Sequence, residues 1–303
     1  MKKKVLIAVL TALTAISVAA CGKQETEKES EETITPATGE ITAVTIDDLD
    51  PEKVQIIDVR EEEQYIGWTT EEGSGGHIEN AVDFPESWLD MDLEKESAIG
   101  TTMQLELERR GLDVTKETVL YDNDTVSQET AEKYQAIGFE NLSVLDGGYN
   151  AYVESGKATE SLEHYEMYVY PQWVQDLADG KNPETFDGGD FQIIEVSLAS
   201  EEDEYANGHI PGAINVNADE INHVPGPRAL ADYEVIPMEE QLKYWNRPSD
   251  EEIQKKLEDL GIQKDTTVVL YGTTAATTAS ARMGLILKYA GVEDIRLLNG
   301  GKT

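Results

Sequence analysis

One set of three motifs occurs twice, in the same order, along this chain of 303 residues, and the repeat limits the possible folds more than any other feature. Each copy has an apolar run, a Gly-His-Ile triplet and a second apolar run that ends in Leu-Tyr. The motifs lie at 54–59, 76–78 and 119–121 in the first copy and at 191–196, 208–210 and 268–271 in the second. Two copies of one unit predict two domains of the same fold.

The spacing of the apolar runs indicates the class of that fold. Short apolar runs bounded by turn residues are typical of the buried strands of a parallel sheet. They alternate here with segments of helical spacing, such as 97–111 and 279–289, and this alternation predicts an α/β domain. We therefore expect two doubly wound α/β domains, each a parallel sheet flanked by helices.

The two copies differ at their ends. After Gly148 the first copy continues through Tyr149 and Tyr152, which predicts a final helix, whereas the second reaches Thr303 shortly after Gly301. Either the sequence is truncated there or the second domain lacks this helix. In both cases we expect an apolar patch that is exposed or filled by something else.

The N-terminal residues have the layout of a secretory signal. Lysines 2–4 precede an apolar run from Val5 to Ala20, which is shorter than a membrane-spanning helix requires. The end of the run, Val-Ala-Ala-Cys, resembles the lipobox of bacterial lipoproteins, which implies a signal peptide at 1–20 and a lipidated Cys21. An ordinary cleaved signal and an uncleaved anchor are the alternatives. Residues 21–40 are acidic and poor in large apolar side chains, so we expect a disordered tether that holds an extracytoplasmic protein to a membrane of the cell envelope.

The composition narrows the choice of partners. With 61 acidic and 24 basic residues the formal charge is −37, which disfavours nucleic acid and anionic membrane surfaces. A small anion in a loop and a basic envelope protein remain as candidate partners. The single cysteine excludes internal disulfides and cysteine-rich zinc sites, and we expect neither a metal site nor a cofactor.

Four motifs together resemble the rhodanese family, specifically its tandem two-domain sulfurtransferases. They are Asp-Val-Arg at 58–60, Gly-His-Ile-Pro-Gly-Ala at 208–213, Val-Val-Leu-Tyr at 268–271, and the Gly-Gly turns at 147–148 and 300–301. The resemblance covers nearly all of the chain from Ile41 onwards. It implies rhodanese-like domains at 41–158 and 159–303, with the active site in the loop that follows the 268–271 strand of the second domain.

The family places a nucleophilic cysteine directly after that strand, and neither copy of the motif has one. Gly272 matches this position in the second domain and Asp122 matches it in the first. The loops that we regard as degenerate active sites contain Gly272, Thr273, Thr274, Ala275, Ala276 and Thr277 in the second domain and Asp122, Asn123 and Asp124 in the first. Loss of a covalent nucleophile costs about 10⁴- to 10⁶-fold in rate.

We therefore interpret the protein as a sulfurtransferase scaffold without activity, which acts as a binding or scaffold module. The alternative is a sulfurtransferase that uses a different group. The threonine-rich second loop precedes a helix, so its amides either bind a small anion or only close the start of the helix.

Four other residues of the motifs have a structural and a catalytic interpretation. His77 and His209 lie in the Gly-His-Ile triplets, where a turn-fixing role is favoured over that of a catalytic base. Asp58 and Arg60 are two residues apart at a strand end, and we expect an ion pair that braces the loop rather than a substrate site. The second copy has Glu195 and Ser197 at the same positions, so the brace should be weaker there.

Overall fold

The computed structural model describes residues 35–96, 101–197, 202–221, 238–241, 246–272 and 277–301. The strands of the first domain are β1 Thr42–Val44, β2 Gln55–Asp58, β3 His77–Ile78, β4 Ala81–Asp83, β5 Glu117–Tyr121, β6 Asn141–Leu145 and β7 Thr159–Glu160. Five of them form one parallel sheet in the order β1-β6-β5-β2-β4, and β3 and β7 form a separate pair. The helices are α1 Glu62–Ile66, α2 Leu93–Glu96, α3 Met103–Arg109, α4 Gln128–Ala136 and α5 Gly148–Glu154.

The second domain repeats this topology. Its parallel sheet has the order β8-β12-β11-β9-β10, which is the order of the first sheet strand for strand. The strands are β8 Tyr168–Val169, β9 Phe191–Ser197, β10 Ile214–Asn217, β11 Thr267–Gly272 and β12 Ile295–Leu298. The helices are α6 Pro171–Ala178, α7 Glu202–Asn207, α8 Met238–Gln241, α9 Asp250–Leu260 and α10 Thr277–Ala290. The prediction of two parallel α/β domains is therefore confirmed.

Each sheet is covered on both faces because alternate residues of a buried strand point to opposite sides. In the first domain, Ile57 packs in one cluster with α3 and α4, and Ile56 packs in the other with Tyr149 and Tyr152 of α5. In the second domain, Ile194 packs with α9 and α10, and Ile193 packs with α6. This two-sided burial explains why the strands are near-continuous apolar runs.

Three predicted boundaries differ from the observed ones. The helix predicted at 97–111 is observed at Met103–Arg109, where the Thr102 side chain caps its start by accepting from the Leu105 amide; residues 97–100 lie outside the described part of the chain. Helix α10 begins at Thr277, so Thr277 is the first helical residue rather than a loop residue. Gly272 is the last residue of β11, because it pairs with Val196 of β9.

The limits of the first domain also differ from the predicted 41–158. Strand β7 pairs antiparallel with β3, so Thr159 and Glu160 pack with the first domain. At the other end, the backbone of Ala37 donates to the carbonyl of Gln135, and the Gln135 side chain donates to the Gly39 carbonyl. The last residues of the predicted tether therefore contact the first domain, whereas residues 21–34 lie outside the described residues.

The two domains share a hydrophobic cluster. Ile66 and Trp68 of the first domain pack with Val169, Trp173 and Val174 of the second. Trp68 is only 3% exposed, and its indole Nε1 donates to the Tyr168 carbonyl over 2.8 Å. The first domain thus supplies side chains to the core on one face of the second sheet.

Candidate functional site

The candidate sites lie at the carboxyl ends of the central strands, where ligands bind in open α/β sheets. In the first domain these ends are Asp58 of β2 and Tyr121 of β5, which are partners in the ladder. In the second domain the corresponding partners are Glu195 of β9 and Tyr271 of β11. Each domain therefore has a carboxylate and a tyrosine at the same place in its sheet.

Asp58 and Arg60 form a fully buried ion pair. Arg60 Nη2 lies 2.6 Å from Asp58 Oδ2, and Arg60 Nε lies 2.9 Å from Asp58 Oδ1, so the contact is bidentate. Burial disfavours the charged guanidinium, but the hydrogen bonds and the negative charge of Asp58 outweigh it and raise the pKa of Arg60. The Tyr121 hydroxyl also donates to Asp58 Oδ2, over 2.7 Å, and burial next to Asp58 raises the pKa of Tyr121 well above its usual value.

Arg60 also fixes the neighbouring loop and helix. It donates to the carbonyls of Ser74 and Gly76, over 3.0 and 2.5 Å. Its guanidinium lies 3.9 Å from the centre of the Tyr149 ring, a cation–π contact with the first turn of α5. The predicted ion pair is therefore present. The Arg60 guanidinium contacts the Asp58 carboxylate, two backbone carbonyls and the Tyr149 ring.

The first loop, at Asp122 to Asp124, is held by the protein itself. The amides of Tyr149 and Asn150 donate to the carbonyls of Asp122 and Asn123, over 2.8 and 2.9 Å. The Asn123 side chain is buried and exchanges two hydrogen bonds with the amide of Gln64. Partial burial raises the pKa of the Asp122 carboxyl, which stands where the family has its cysteine. This loop offers an acidic group in place of a nucleophile.

The second copy keeps the carboxylate and the tyrosine but not the arginine. Glu195 is fully buried at the position of Asp58, and Ser197 stands in place of Arg60 with its hydroxyl donating to Asn215 Oδ1 over 3.2 Å. Burial, followed by a hydrogen bond to Glu195, raises the pKa of Tyr271. The arginine brace of the first domain is absent from this position, as the sequence comparison predicts.

The two histidines make the same pair of contacts. His77 Nδ1 lies 2.7 Å from the Tyr65 carbonyl, and the two rings stack at 4.0 Å. His209 Nδ1 lies 2.9 Å from the Tyr205 carbonyl, and these rings stack at 3.9 Å. Each imidazole thus closes a turn back onto the helix that follows β2 or β9, and these contacts favour the structural interpretation.

Some of these contacts were missed by sequence reasoning. Tyr65 and Tyr205 occupy matching places in the repeat, and each donates its hydroxyl to the carbonyl of an alanine, Ala81 or Ala213, over 2.8 or 2.6 Å. Aligning the two copies residue by residue would have found this pair. Gln64 belongs to no repeated motif, and only the fold brings its partner Asn123 close to it. No sequence pattern therefore predicts this contact.

Gly272 is buried at the end of β11 and stands at the position where the family has its catalytic cysteine. Thr273, Thr274, Ala275 and Ala276 lie outside the described residues, and helix α10 begins at Thr277. The structure thus brings Gly272 to the carboxyl edge of the sheet, next to Tyr271. The predicted anion site in this loop stays a prediction.

The described ranges contain neither a metal-binding cluster of side chains nor a membrane-spanning helix. No three His, Cys, Asp or Glu side chains among them lie close enough together to hold a metal ion. No helix within these ranges combines the length and the apolar character needed to cross a bilayer. Cys21 and residues 1–20 lie outside the described part of the chain.

Comparison with known proteins gives a consistent picture. A model of the rhodanese-like domain matches residues 43–155 and 171–303. The thiosulfate sulfurtransferase YnjE of Escherichia coli is 33% identical over 260 residues, which is 85% of this chain and 52% of the relative. The sulfur carrier protein TtuD of Thermus thermophilus is 34% identical over 142 residues, 46% of this chain and 39% of the relative. The chain thus spans about half the length, or less, of these curated relatives.

Solved structures with the same arrangement belong to a longer enzyme. An EanB variant with a cysteine persulfide and ergothioneine matches with a TM-score of 0.68 and 30% identity, over 86% of this chain and 60% of that one. The anaerobic ergothioneine biosynthesis enzyme from Chlorobium limicola, in complex with trimethyl histidine, matches with a TM-score of 0.67 and 29% identity over the same shares. The tandem arrangement of both domains is therefore shared with these proteins.

Proposed function

The chain belongs to the rhodanese-like family, with two such domains in tandem, and from this premise we propose that it is a lipid-anchored, extracytoplasmic binding or scaffold module without sulfurtransferase activity. The observation that carries the proposal is Gly272 at the end of β11. A rhodanese accepts sulfane sulfur on a cysteine thiolate, and glycine has no group that can form a persulfide. Cys21 is the one cysteine of the whole sequence, and its sulfur would carry the lipid.

Two further observations support a binding role. The first loop has Asp122 at the cysteine position, and its acidic side chain repels an anionic sulfur donor. The folds around both loops are nevertheless retained, with the same strand order and the same Tyr–His stacks. A scaffold that keeps its sheets and turns but not its nucleophile is suited to binding. The formal charge of −37 favours a basic envelope protein as its partner.

A sulfurtransferase that uses a different group is the second candidate. The observation that favours it is the 33% identity to a thiosulfate sulfurtransferase over 85% of this chain. Such an enzyme would take the sulfane sulfur on a group of its own other than a loop cysteine. The two candidates therefore differ in whether the purified protein alone transfers sulfur from thiosulfate to cyanide.

We expect the purified protein, given thiosulfate and cyanide, to form no thiocyanate above a buffer blank. The physical reason is that no thiolate is available to take the sulfane sulfur. Thiocyanate is measured as its coloured iron complex, with an active thiosulfate sulfurtransferase as the positive control. Turnover that rises in proportion to protein concentration would support the second candidate and contradict the first.

We expect Cys21→Ser to abolish labelling by a fatty-acid analogue in a bacterial host. The thioether that carries the lipid needs the cysteine sulfur, and a serine hydroxyl does not replace it. Labelled protein is detected on a gel and in the membrane fraction, and Lys23→Ser, two residues away, serves as the matched control that should keep its label. Label that persists in Cys21→Ser would show that the anchor is not at this residue.

A further inference from the structure

A groove of about 760 Å³ runs along the junction of the two domains. The first domain lines it with residues of the segment 61–72, and the second lines it with helix α6 and the loop at 181–184. Trp68 and Trp173, which are both buried, form its floor. Binding sites in proteins occur preferentially at such junctions between domains.

The side chains that line the groove are strongly acidic. Lys181 is the one basic residue among the described ones, and its Nζ lies 2.7 Å from Asp176 Oδ1, so this charge is already paired. The other carboxylates of the groove have no ion pair with any residue that the structure describes. They are Glu61, Glu63, Glu71, Glu72 and Glu184.

The undescribed residues do not reverse this charge. Both segments that form the groove lie inside continuously described ranges, 35–96 and 101–197. The undescribed residues contain eight basic and eight acidic side chains, so the described domains carry the formal charge of −37. A basic partner is therefore attracted to the domains themselves.

Three carboxylates of the groove do not hold the fold together. The side chains of Glu63, Glu71 and Glu72 make no hydrogen bond or ion pair with the described part of the chain. Glu63 is only partly exposed, and burial, followed by the negative charge of Glu61, raises its pKa. A cation brought from outside would stabilise carboxylates that crowd each other in this way.

The geometry of the groove indicates what kind of cation fits. Within the described ranges, no three carboxylates lie close enough together to share a metal ion, so the positive charges of the ligand must be spread out. The rim is exposed at Glu71, Gln172 and Lys181, whereas small-molecule sites are mostly apolar and enclose their ligand. An extended chain with several cationic side chains meets both conditions.

We propose that this groove binds an extended segment of a partner protein that carries several lysine or arginine side chains. The cations pair with Glu63, Glu71 and Glu72 at the rim, and their apolar stems lie towards the floor at Trp68 and Trp173. The inference rests on the proposed binding function, to which it adds the place and the chemistry of the partner.

The first test titrates the full chain with a capped tetralysine peptide by isothermal titration calorimetry. We expect a Kd of about 100 µM or tighter at roughly 50 mM salt. The same peptide with its lysines acetylated keeps the backbone but has no charge, and it should not saturate up to about 5 mM. Equal binding of the two peptides, or no saturation by tetralysine up to about 5 mM, overturns the proposal.

A charge-removing variant locates the site. Glu63→Gln/Glu71→Gln/Glu72→Gln should weaken tetralysine binding about ten-fold or more, because three cations then lose their partners. Gln172→Lys, on the opposite wall, places a cation in the groove and should also weaken binding, by about three-fold or more. Unchanged binding by both variants overturns the location, and Gln172→Lys decides it if the triple variant does not fold.

The matched control removes three exposed carboxylates of the first domain that do not line the groove. Glu129→Gln/Glu140→Gln/Glu154→Gln should bind tetralysine within about two-fold of the unchanged protein. Equal weakening by this control and by the groove variant would show that only the overall charge attracts the peptide. That result overturns the groove but leaves the proposed function standing, since the thiocyanate assay tests it separately.

Spermine separates a protein segment from a small polycation. It carries about as many positive charges as tetralysine but has no peptide backbone and no side-chain stems to cover the floor at Trp68 and Trp173. We expect it to bind at least about three-fold more weakly than tetralysine. Equal or tighter binding of spermine would show that the occupant is a small polycation, and would overturn the proposed segment.

Discussion

The Gly272→Cys variant is expected to take the outer sulfur of thiosulfate as a persulfide, with release of sulfite, and to pass that sulfur to added cyanide as thiocyanate. Gly272 ends a buried strand of the second sheet, and the 14-residue helix α10 begins five residues later. A thiol near a helix N-terminus has a lowered pKa and is more reactive as a thiolate. Persulfide is measured by mass, as the addition of one sulfur atom, and thiocyanate by its iron complex.

The background and the control for this variant follow from the sequence. Cys21→Ser removes the one natural cysteine, so that the introduced thiol is the only one present. Leu285→Cys, at a residue of α10 that is 71% exposed, gives a matched thiol outside the strand end. We expect cyanide-reactive sulfur on Gly272→Cys at a level at least about ten-fold above Leu285→Cys. Equal levels in the two variants would show that the strand end no longer activates a thiol.

Arg60→Met is expected to lower the free energy of unfolding of the first domain by about 3–5 kcal/mol. Methionine fills a similar volume but leaves the fully buried Asp58 without its cationic partner. It also removes the hydrogen bonds to the carbonyls of Ser74 and Gly76 and the contact with the Tyr149 ring. The change is measured by urea unfolding followed by tryptophan fluorescence and circular dichroism.

Two further variants separate the loss of the ion pair from other effects of the substitution. Lys53→Met breaks an ion pair with Asp50 in which both side chains are exposed, and should cost at most about 1 kcal/mol. The double variant Asp58→Asn/Arg60→Met should recover part of the loss, because the buried negative charge is then gone. If Arg60→Met costs no more than Lys53→Met, the buried pair does not stabilise the domain and its role lies elsewhere.

The fold follows from the sequence where a local pattern is enough to define it. The runs around Ile57, Ile194 and Leu120 are apolar on both faces, and they become buried strands because helices cover both sides of each sheet. The repeat then doubles the information, since a strand recognised in one copy supports its counterpart in the other. The parallel sheets are therefore predictable from these residues.

Other features depend on contacts between residues that are far apart in sequence. The antiparallel pairing of β7 with β3 moves Thr159 and Glu160 into the first domain, although the local sequence is polar and has the composition of a linker. The hydrogen bonds between Gln64 and Asn123 join residues 59 positions apart. Strand lengths and caps at the ends of helices, such as Thr102 before α3, differ from pattern predictions by a few residues for the same reason.

The shared cluster around Trp68 has a consequence for how the chain acquires its structure. Ile66 and Trp68 come from the first repeat, yet they complete the apolar layer formed by Val169 and Trp173 in the second. During synthesis the first repeat emerges earlier, so for a time these side chains have no apolar neighbours from the second repeat. The stability of the two halves is thereby coupled. Separating the repeats at their junction would expose Ile66 and Trp68 on the first half and leave the apolar layer of the second half incomplete.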